Sequence, residues 1–294
     1  MAQEIIFLYG PPAAGKSTFA KYYAESHPDF CRIGADDVRL DLYGSSDSYG
    51  NPEEIYAELL RRMRVALDEG KSILYDAVNM RKSYRIDFLA ELSGYNIAKT
   101  IIQLPTAKSV CLERFLRRKR TIPIKSVEHY FTMDERPTYE EGWDNIHTCC
   151  TKAYIASPFF EDSHRAAAIA AANILRDKGI DTYLPLEHKV PNAWDYKNYE
   201  WGHKVFSADI QAIEDADTVV VLSYGRIASA GTNFEAGYAY GRGKRVIVVE
   251  MPEVTLMSLM VANGRHATVK GLEGLAAYDF VTMPMLEDRD MEQK

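Results

Sequence analysis

A glycine-rich loop near the start of the chain constrains its fold more than any other feature. Residues Gly10 to Ser17 match the pattern G-x-x-x-x-G-K-[ST] at every fixed position. The loop follows an apolar run, Glu4 to Tyr9, that predicts a buried strand, and a helical pattern from Ser17 to Ala24 follows it. Strand, glycine loop and helix in this order predict a site where backbone N–H groups and a helix N-terminus bind a polyphosphate.

The loop chemistry assigns roles to its residues. Lys16 would reach the β- and γ-phosphates of ATP, and the Ser17 hydroxyl would be a ligand of Mg²⁺. ATP and Mg²⁺ are therefore the expected cofactors. An ordinary strand–turn–helix is the competing interpretation of the same pattern. The predicted ATP-binding residues are Gly10, Ala13, Ala14, Gly15, Lys16, Ser17 and Thr18.

Composition limits the class of protein. The chain has 294 residues, 47% of them hydrophobic and 26% charged, which is typical of a globular protein with room for two domains. The net charge of −7 argues against a generally basic nucleic-acid coat but leaves room for a local basic groove. The four cysteines lack metal-ligand spacing, and no apolar run has membrane-spanning length. We expect a soluble cytoplasmic protein with no membrane partner.

Strand and helix patterns alternate in the first half of the chain. Apolar runs at Phe30 to Ile33, Ser72 to Tyr75 and Ile97 to Ile102 predict strands, and helical patterns separate them. This alternation predicts a parallel sheet with right-handed crossovers, in which ligands bind at the carboxyl ends of the strands. The glycine loop, the pair Asp36-Asp37 and Asp76 all fall at such ends.

These polar residues have catalytic interpretations and structural ones. Asp36 or Asp37 could accept a proton from an attacking hydroxyl, or cap a helix. Arg39, one turn later, could bind an acceptor phosphate, and Asp76 either orients Mg²⁺ through water or only ends a strand. The run from Arg114 to Arg120 contains five cations. It indicates either a solvated helix face or an arginine lid that closes over the transferred group.

Together these stretches resemble the kinase domain of phage-type polynucleotide kinases and are similar to the wider set of small P-loop kinases. The resemblance covers about residues 1–139. It implies that Lys16 and Asp36 are catalytic, with Asp36 as general base, and that Arg39 and Asp76 lie on the acceptor side. It also implies that Arg118, with Arg114 as a second candidate, belongs to the lid. The acceptor stays open, because related kinases act on small hydroxyl compounds too.

A second domain follows a stretch without periodicity between Met133 and Cys150, and we place the boundary near residue 148. The predicted domains are therefore 1–148 and 149–294. The second contains further alternating strands and helices, with its most apolar strand at Thr218 to Leu222 and no second phosphate loop. The expected fold class is α/β with two doubly wound parallel-sheet domains.

The segment from Ser229 to Ala239, SAGTNFEAGYA, carries the chemistry of the second domain. It puts Glu235 on the first turns of a helix at the carboxyl end of a strand, flanked by glycines. A carboxylate there could attack an anomeric carbon and form a covalent glycosyl intermediate, although a glutamate early in a helix is more often a partner of the helix dipole. Tyr154 and Asp209, also at strand ends or helix faces, favour the catalytic interpretation.

This constellation resembles the nucleoside 2-deoxyribosyltransferase family, including its branch of deoxynucleoside-monophosphate N-glycosidases. The resemblance covers about residues 153–280 and implies a Rossmann-like or flavodoxin-like fold beside the P-loop NTPase fold of the first domain. It implies that Glu235 is the nucleophile, that Tyr154 orients it and that Asp209 donates or accepts a proton. Because family members bind a neighbouring subunit at the active site, it also implies a homo-oligomer formed through this domain.

One departure bears on the substrate. True deoxyribosyltransferases have an aspartate six residues before the nucleophile, where this chain has Ser229, as the N-glycosidases do. An anionic aspartate would repel a 5′-phosphate, whereas a serine hydroxyl can donate to it. Gly231 and Ser258 complete the predicted deoxyribose- and phosphate-binding set. The loop Ser157 to Phe160, in contrast, is similar to the transferase branch, so free nucleosides and 5′-monophosphates both stay open.

The resulting hypothesis is a bifunctional enzyme of nucleotide metabolism. A kinase domain would phosphorylate a hydroxyl of a nucleoside, a nucleotide or a nucleic-acid 5′ end, and a second domain would cleave or exchange the N-glycosidic bond of a deoxynucleoside or its monophosphate. One alternative is an end-repair polynucleotide kinase with an accessory nucleotide-processing domain. Another is a nucleotide-sensing protein that binds its ligands without turnover.

Overall fold

The computed structural model describes residues 3–118, 123–225, 229–252 and 257–285. The chain forms two compact units, Met1–Cys149 and Cys150–Lys294, and each contains a five-stranded sheet whose neighbouring strands are all parallel. The predicted α/β class with two doubly wound sheets is confirmed. Over the described ranges, no helix combines the length and the apolar character that crossing a membrane requires.

The first unit has the strand order β2-β3-β1-β4-β5. Its strands are β1 (Glu4–Tyr9), β2 (Phe30–Gly34), β3 (Ser72–Asp76), β4 (Ala98–Gln103) and β5 (Asn145–Thr148). Its helices are α1 (Lys16–Ser26), α2 (Ala35–Tyr43), α3 (Pro52–Asp68), α4 (Lys82–Glu91), α5 (Lys108–Arg117) and α6 (Ile124–Tyr130). The order puts β1 between β3 and β4, so the glycine loop leaves the middle of the sheet, where doubly wound folds bind ligands.

Local sequence explains most of these elements. The β1 residues after Glu4 are all buried, as a central strand covered on both faces requires. Helix α3 begins after Asn51, whose side chain accepts a hydrogen bond from the Glu53 N–H, and Pro52 occupies its first turn. The apolar face of α3 then packs into the core around Phe7 and Tyr75, whose rings meet edge to face at 4.9 Å.

Strand β5 and helix α6 were not predicted. Strand β5 has only four residues, none of them fully buried, and it lies in the stretch that lacks periodicity. It forms because β4 offers a parallel edge from Thr100 to Gln103 for hydrogen bonding. Pairing with a neighbouring strand, rather than an apolar pattern, therefore accounts for this element.

The second unit has the strand order β10-β9-β8-β6-β7. Its strands are β6 (Lys152–Ala156), β7 (Asp181–Tyr183), β8 (Thr218–Ser223), β9 (Arg245–Glu250) and β10 (Ala267–Lys270). Its helices are α7 (Asp162–Asp177), α8 (Asn198–Asp215), α9 (Ala230–Gly241), α10 (Leu259–Asn263) and α11 (Gly271–Ala277). Strand β8 is buried over its whole length, as its apolar run predicted, while the short strand β10 was not predicted. Strand β7 is added on one side of β6 and β8 on the other, so the order of the strands switches at β6.

Candidate active sites

The glycine loop of the first unit is closed on its own lysine. Gly15 caps α1 in the left-handed region at φ 102°, and Ala13 also has a positive φ of 65°. The Lys16 ammonium donates to the carbonyls of Gly10 at 2.8 Å and Pro11 at 2.7 Å. Burial lowers the pKa of Lys16 to about 8, because water no longer solvates the ammonium. The loop thus holds a desolvated cation, and a bound polyphosphate would replace the two carbonyls as the hydrogen-bond acceptor of Lys16.

Two carboxylates approach Lys16 from the neighbouring strand ends. Against the effect of burial, the negative charges of Asp76 and Asp36 raise the pKa of Lys16, so both lie within electrostatic range of its ammonium. Asp36 accepts from Arg39 at 3.0 Å in the first turn of α2, and no side chain caps this helix. Gly34 rather than Asp36 is the N-cap residue of α2, and the Asp36 charge acts on the pKa of Lys16.

Arg32 is a site residue that the sequence analysis missed. Its Nη2 contacts Asp76 Oδ2 at 2.7 Å, and its Nη1 contacts Asp37 Oδ2 at 2.8 Å. A Cβ atom on Gly34 would come within 2.4 Å of Asp37 Oδ2, so the glycine leaves room for this arrangement. The signal in the sequence was an arginine inside the otherwise apolar strand Phe30–Gly34.

The basic run lies beside the loop. Arg114, on α5, has its Nη1 atom 3.7 Å from the position that a Cβ atom on Gly15 would occupy. Arg118 is the first residue after the same helix. Its positive charge lowers the pKa of Lys16, so Arg118 lies near the Lys16 ammonium. Phe115 and Val127 pack with Ala13 of the loop in a small apolar cluster. Lys119 and Arg120 lie outside the described residues.

The residues around the loop fit Mg²⁺ chemically. The Ser17 hydroxyl and the Asp76 carboxylate are hard oxygen donors, and Mg²⁺ binds through one or two such groups together with phosphate oxygens and water. Asp76 is buried at the end of β3, and Arg32 contacts only one of its two carboxylate oxygens among the hydrogen bonds of the described chain. Ser17 and Asp76 are therefore the residues that would hold the ion.

The second unit brings three predicted residues together at its switch strand. The Tyr154 hydroxyl, from β6, donates to Glu235 Oε1 at 2.8 Å, across 81 positions of sequence. Asp209, on α8, is close enough for its charge to raise the pKa values of both Tyr154 and Glu235. Helices α8 and α9 and strand β6 thus contribute one side chain each to a single polar group.

Burial governs the ionisation of this group. It raises the pKa of Glu235 to about 7, with the Asp209 charge adding to the rise and the Tyr154 hydrogen bond opposing it. Burial also raises the pKa of Asp209 to about 6. Burial and the Asp209 charge thus destabilise the carboxylate form of Glu235, whereas the Tyr154 hydrogen bond stabilises it.

Aromatic rings extend from this group toward the edge of the sheet. The ring of Tyr183, at the end of β7, stacks on Tyr154 at 5.6 Å, and the exposed His188 stacks on Tyr183 at 4.0 Å. Burial, with a contribution from the Asp209 charge, raises the pKa of Tyr183 to about 12. Neither Tyr183 nor His188 was predicted, because the pairing of β6 with β7 brings Tyr183 beside Tyr154, and His188 reaches the group by stacking on Tyr183.

The predicted deoxyribose and phosphate residues lie at two helix starts. Ser229 caps α9, accepting weakly from the Thr232 N–H at 3.4 Å, and Gly231 follows in the first turn. Ser258 occupies the exposed position before α10. Residues 226–228, just before Ser229, lie outside the described ranges, as does Leu256.

Replacing Tyr154 with phenylalanine should shift the acidic limb of the pH–rate profile of the second unit to higher pH by about one to two units. The lost hydrogen bond stabilises the carboxylate form of Glu235, and a bond to a charged group contributes about 1.5–3 kcal/mol. At pH 6 the variant should therefore be about 10- to 100-fold slower than the wild type, and the difference should shrink as the pH rises toward about 9. A Tyr183→Phe variant, which keeps the ring stack and the Tyr154 hydroxyl, is the matched control, and an unshifted profile in Tyr154→Phe would contradict this role.

Two family models match the chain, one in each unit. Residues 153–272 match the model described as nucleoside 2-deoxyribosyltransferase, and residues 5–131 match one described as an AAA domain. A curated relative, transcription factor bHLH140 of Arabidopsis thaliana, is 28% identical over 163 residues, which are 51% of this chain. The chain spans only 16% of the length of that relative.

Solved structures resemble both units. The 2-deoxyribosyltransferase of Bacillus psychrosaccharolyticus is 30% identical, with 47% of this chain and 99% of that chain covered and a TM-score of 0.44. A putative kinase of Chloroflexus aurantiacus is 17% identical, covering 50% of this chain and 88% of its own, with a TM-score of 0.40. A chain of the Pnkp1/Rnl/Hen1 RNA repair complex is 17% identical, with 92% of this chain and 96% of that chain covered and a TM-score of 0.41.

Proposed function

Since the second half of the chain belongs to the nucleoside 2-deoxyribosyltransferase family and the first half carries a P-loop AAA domain, we propose that the protein is a bifunctional enzyme of nucleotide metabolism. The second unit breaks the N-glycosidic bond of a 2′-deoxynucleoside or its 5′-monophosphate. The first unit transfers the γ-phosphate of ATP to a hydroxyl. The observation that carries the proposal is the desolvated Glu235 carboxyl, hydrogen-bonded to Tyr154 beside Asp209.

In the second unit, a Glu235 carboxylate oxygen forms a bond to the anomeric carbon while the bond from that carbon to the base nitrogen breaks. The base leaves with the electron pair of that bond and takes a proton, which Asp209 is placed to supply because its raised pKa keeps part of it protonated. Water or a second base then attacks the anomeric carbon, and Glu235 leaves as a carboxylate. Tyr154 orients Glu235 in both steps.

In the first unit, Asp36 accepts the proton of the attacking hydroxyl, and Arg39 holds the acceptor beside it. Lys16 moves from the Gly10 and Pro11 carbonyls to the β- and γ-phosphates. ATP bound with Mg²⁺ supplies the phosphoryl group and charge neutralisation. Arg114 and Arg118 lie near the loop and stabilise the charge of the transferred group.

The neutral Ser229, six residues before Glu235, favours a 5′-monophosphate as substrate of the second unit, so the kinase step would supply this substrate. Base should be released from deoxynucleoside monophosphates without ATP, and from free deoxynucleosides only when ATP and Mg²⁺ are added. Chromatography of free base and deoxyribose 5-phosphate, over a panel of the four deoxynucleosides and their monophosphates, checks this expectation. Base release from free deoxynucleosides without ATP would instead indicate a nucleoside transferase or hydrolase.

The second unit also has exposed apolar side chains suited to a homo-oligomer. Phe206 and Phe234 contact each other at 5.9 Å on α8 and α9 and are about half exposed, and Leu259 and Met260 on α10 are 71% and 84% exposed. Apolar surface of this kind is typical of protein interfaces. Sedimentation analysis of the wild-type chain and of a Phe234→Glu variant tests this part of the proposal.

A further inference from the structure

A buried ion pair in the first unit has no place in the chemistry above. We infer that Arg85 and Glu141 position the nucleotide-binding loop, by holding the chain segment after β3 that is hydrogen-bonded to the start of this loop. The inference rests on the proposed kinase function for its catalytic consequence. Its consequence for ATP binding does not require that any acceptor be known.

The pair is bidentate and fully buried. Arg85 Nε and Nη2, on α4, donate to the two carboxylate oxygens of Glu141 at 2.8 and 2.7 Å, and both side chains have 0% exposure. Glu141 also accepts from the Trp143 indole at 3.0 Å and from the Thr138 N–H at 3.2 Å. The carboxylate is thus held by four donors, and it fixes the direction in which the guanidinium points.

The third nitrogen of the guanidinium contacts the backbone after β3, and the guanidinium also lies over the Tyr9 ring, 5.5 Å from its centroid. Arg85 Nη1 donates to the carbonyl of Asn79 at 2.9 Å, and Asn79 has a left-handed backbone at φ 49°. The Asn79 side chain donates in turn to the Leu8 carbonyl at 2.9 Å. Next to it, the Gly10 N–H donates to the Val78 carbonyl at 3.2 Å. The segment from Asp76 to Asn79 is therefore tied to both sides of the start of the glycine loop.

The chemistry indicates more than a contribution to stability. Burying an ion pair is costly, and apolar side chains of the same volume usually serve a core as well or better. An apolar side chain could not donate a hydrogen bond to the Asn79 carbonyl. Without this bond, Asn79 could leave its left-handed backbone conformation, which is costly for a residue other than glycine. The pair therefore fixes the backbone at Asn79. Asn79 is three residues after Asp76 and follows Val78, whose carbonyl accepts from the Gly10 N–H.

The test separates this role from stability with two variants. The double variant Arg85→Met with Glu141→Gln removes both charges at nearly constant volume and leaves an acceptor for Trp143. Asn79→Gly keeps the left-handed backbone and removes the hydrogen bond to Leu8 without touching the pair. In both variants, ATP should bind about tenfold more weakly and kcat for phosphoryl transfer should fall about 10- to 100-fold, because the loop and Asp76 lose their fixed positions.

A matched control is available in the same unit. Arg64 and Glu91 form an exposed pair at 2.7 Å, and Arg64→Met with Glu91→Gln removes the same charges and should change neither quantity. Base release by the second unit of the same molecules reports on the integrity of the rest of the chain. Thermal unfolding identifies any variant that fails to fold, and if the double variant does so, Arg85→Lys, which keeps the charge beside Glu141, decides.

The outcomes distinguish the inference from the kinase proposal. Variants that fold with wild-type Tm and bind ATP with wild-type Kd would overturn the positioning role. A wild-type chain that binds ATP but phosphorylates no acceptor would overturn the kinase proposal, while the comparison of Kd values would still decide the inference. Arg85→Lys, which keeps the charge toward Glu141 but offers no planar fork, should lose affinity to an intermediate degree.

Trp143 provides a readout that does not depend on activity. Its indole is buried and bonded to Glu141, whereas Trp194 and Trp201, the other two tryptophans, are exposed. In a Trp194→Phe, Trp201→Phe background, ATP binding should change the emission of Trp143. The change should disappear in the Asn79→Gly variant, and its persistence there with full amplitude would contradict the coupling.

Discussion

Replacing Glu235 with alanine should abolish release of the base from deoxynucleoside substrates, lowering the rate by at least about 10³-fold. The variant lacks the carboxylate that forms the bond to the anomeric carbon, and no other carboxylate is bonded to Tyr154 among the hydrogen bonds of the described chain. The measurement is chromatographic release of free base under saturating substrate. Phosphoryl transfer by the first unit should be unchanged in the same preparation.

A surface carboxylate supplies the control for this variant. Glu273→Ala removes an exposed glutamate from α11 in the same unit and should leave base release at the wild-type rate. Acid quenching of a reaction with a slow substrate should also leave a deoxyribosyl ester on the peptide that contains Glu235. Base release that persists in Glu235→Ala would show that another group is the nucleophile.

Replacing Lys16 with alanine should lower the rate of phosphoryl transfer by about 10²- to 10³-fold, the typical cost of removing one charge from a preorganised site. Lys16 is buried with its ammonium bonded to the Gly10 and Pro11 carbonyls, so alanine removes the cation that the loop itself holds. Transfer of labelled γ-phosphate from ATP to a panel of nucleosides, nucleotides and 5′-hydroxyl oligonucleotides measures the effect and identifies the acceptor.

The control for this variant is Lys21→Ala, which removes an exposed lysine from the same helix and should have no effect. Base release from a deoxynucleoside monophosphate should continue in Lys16→Ala, while ATP-dependent release from the free deoxynucleoside should stop. Wild-type phosphoryl transfer in Lys16→Ala would contradict the assignment of this loop.

Secondary structure was predictable where a local pattern was strong. The central strands β1 and β8 have apolar patterns that depend only on neighbouring residues, and the structure has them within one residue of the predicted bounds. Strand β5 has no such pattern, because its stability comes from pairing with β4.

By itself, the sequence determined the fold class and the phosphate-binding loop, because a contiguous motif contains its own backbone geometry, cation and hydroxyl. It also singled out Glu235, Tyr154 and Asp209 as candidates. Only the tertiary structure decided that Tyr154 lies 2.8 Å from Glu235 and that burial raises the pKa of Glu235 to about 7. The short distance between Tyr154 and Glu235 and the burial of Glu235 both arise from the packing of α8, α9 and β6. No short stretch of sequence therefore predicts them.

The same reason explains the residues that the sequence did not reveal. Arg32 and Arg85 look like ordinary charges along the chain, and each acquires its role only from partners far away in sequence: Arg32 from Asp76 and Arg85 from Glu141. The carboxylates and carbonyls that folding brings near a guanidinium fix its position through hydrogen bonds. Local sequence thus determined which chemical groups the two units contain, and the packing of strands and helices decided which of those groups meet.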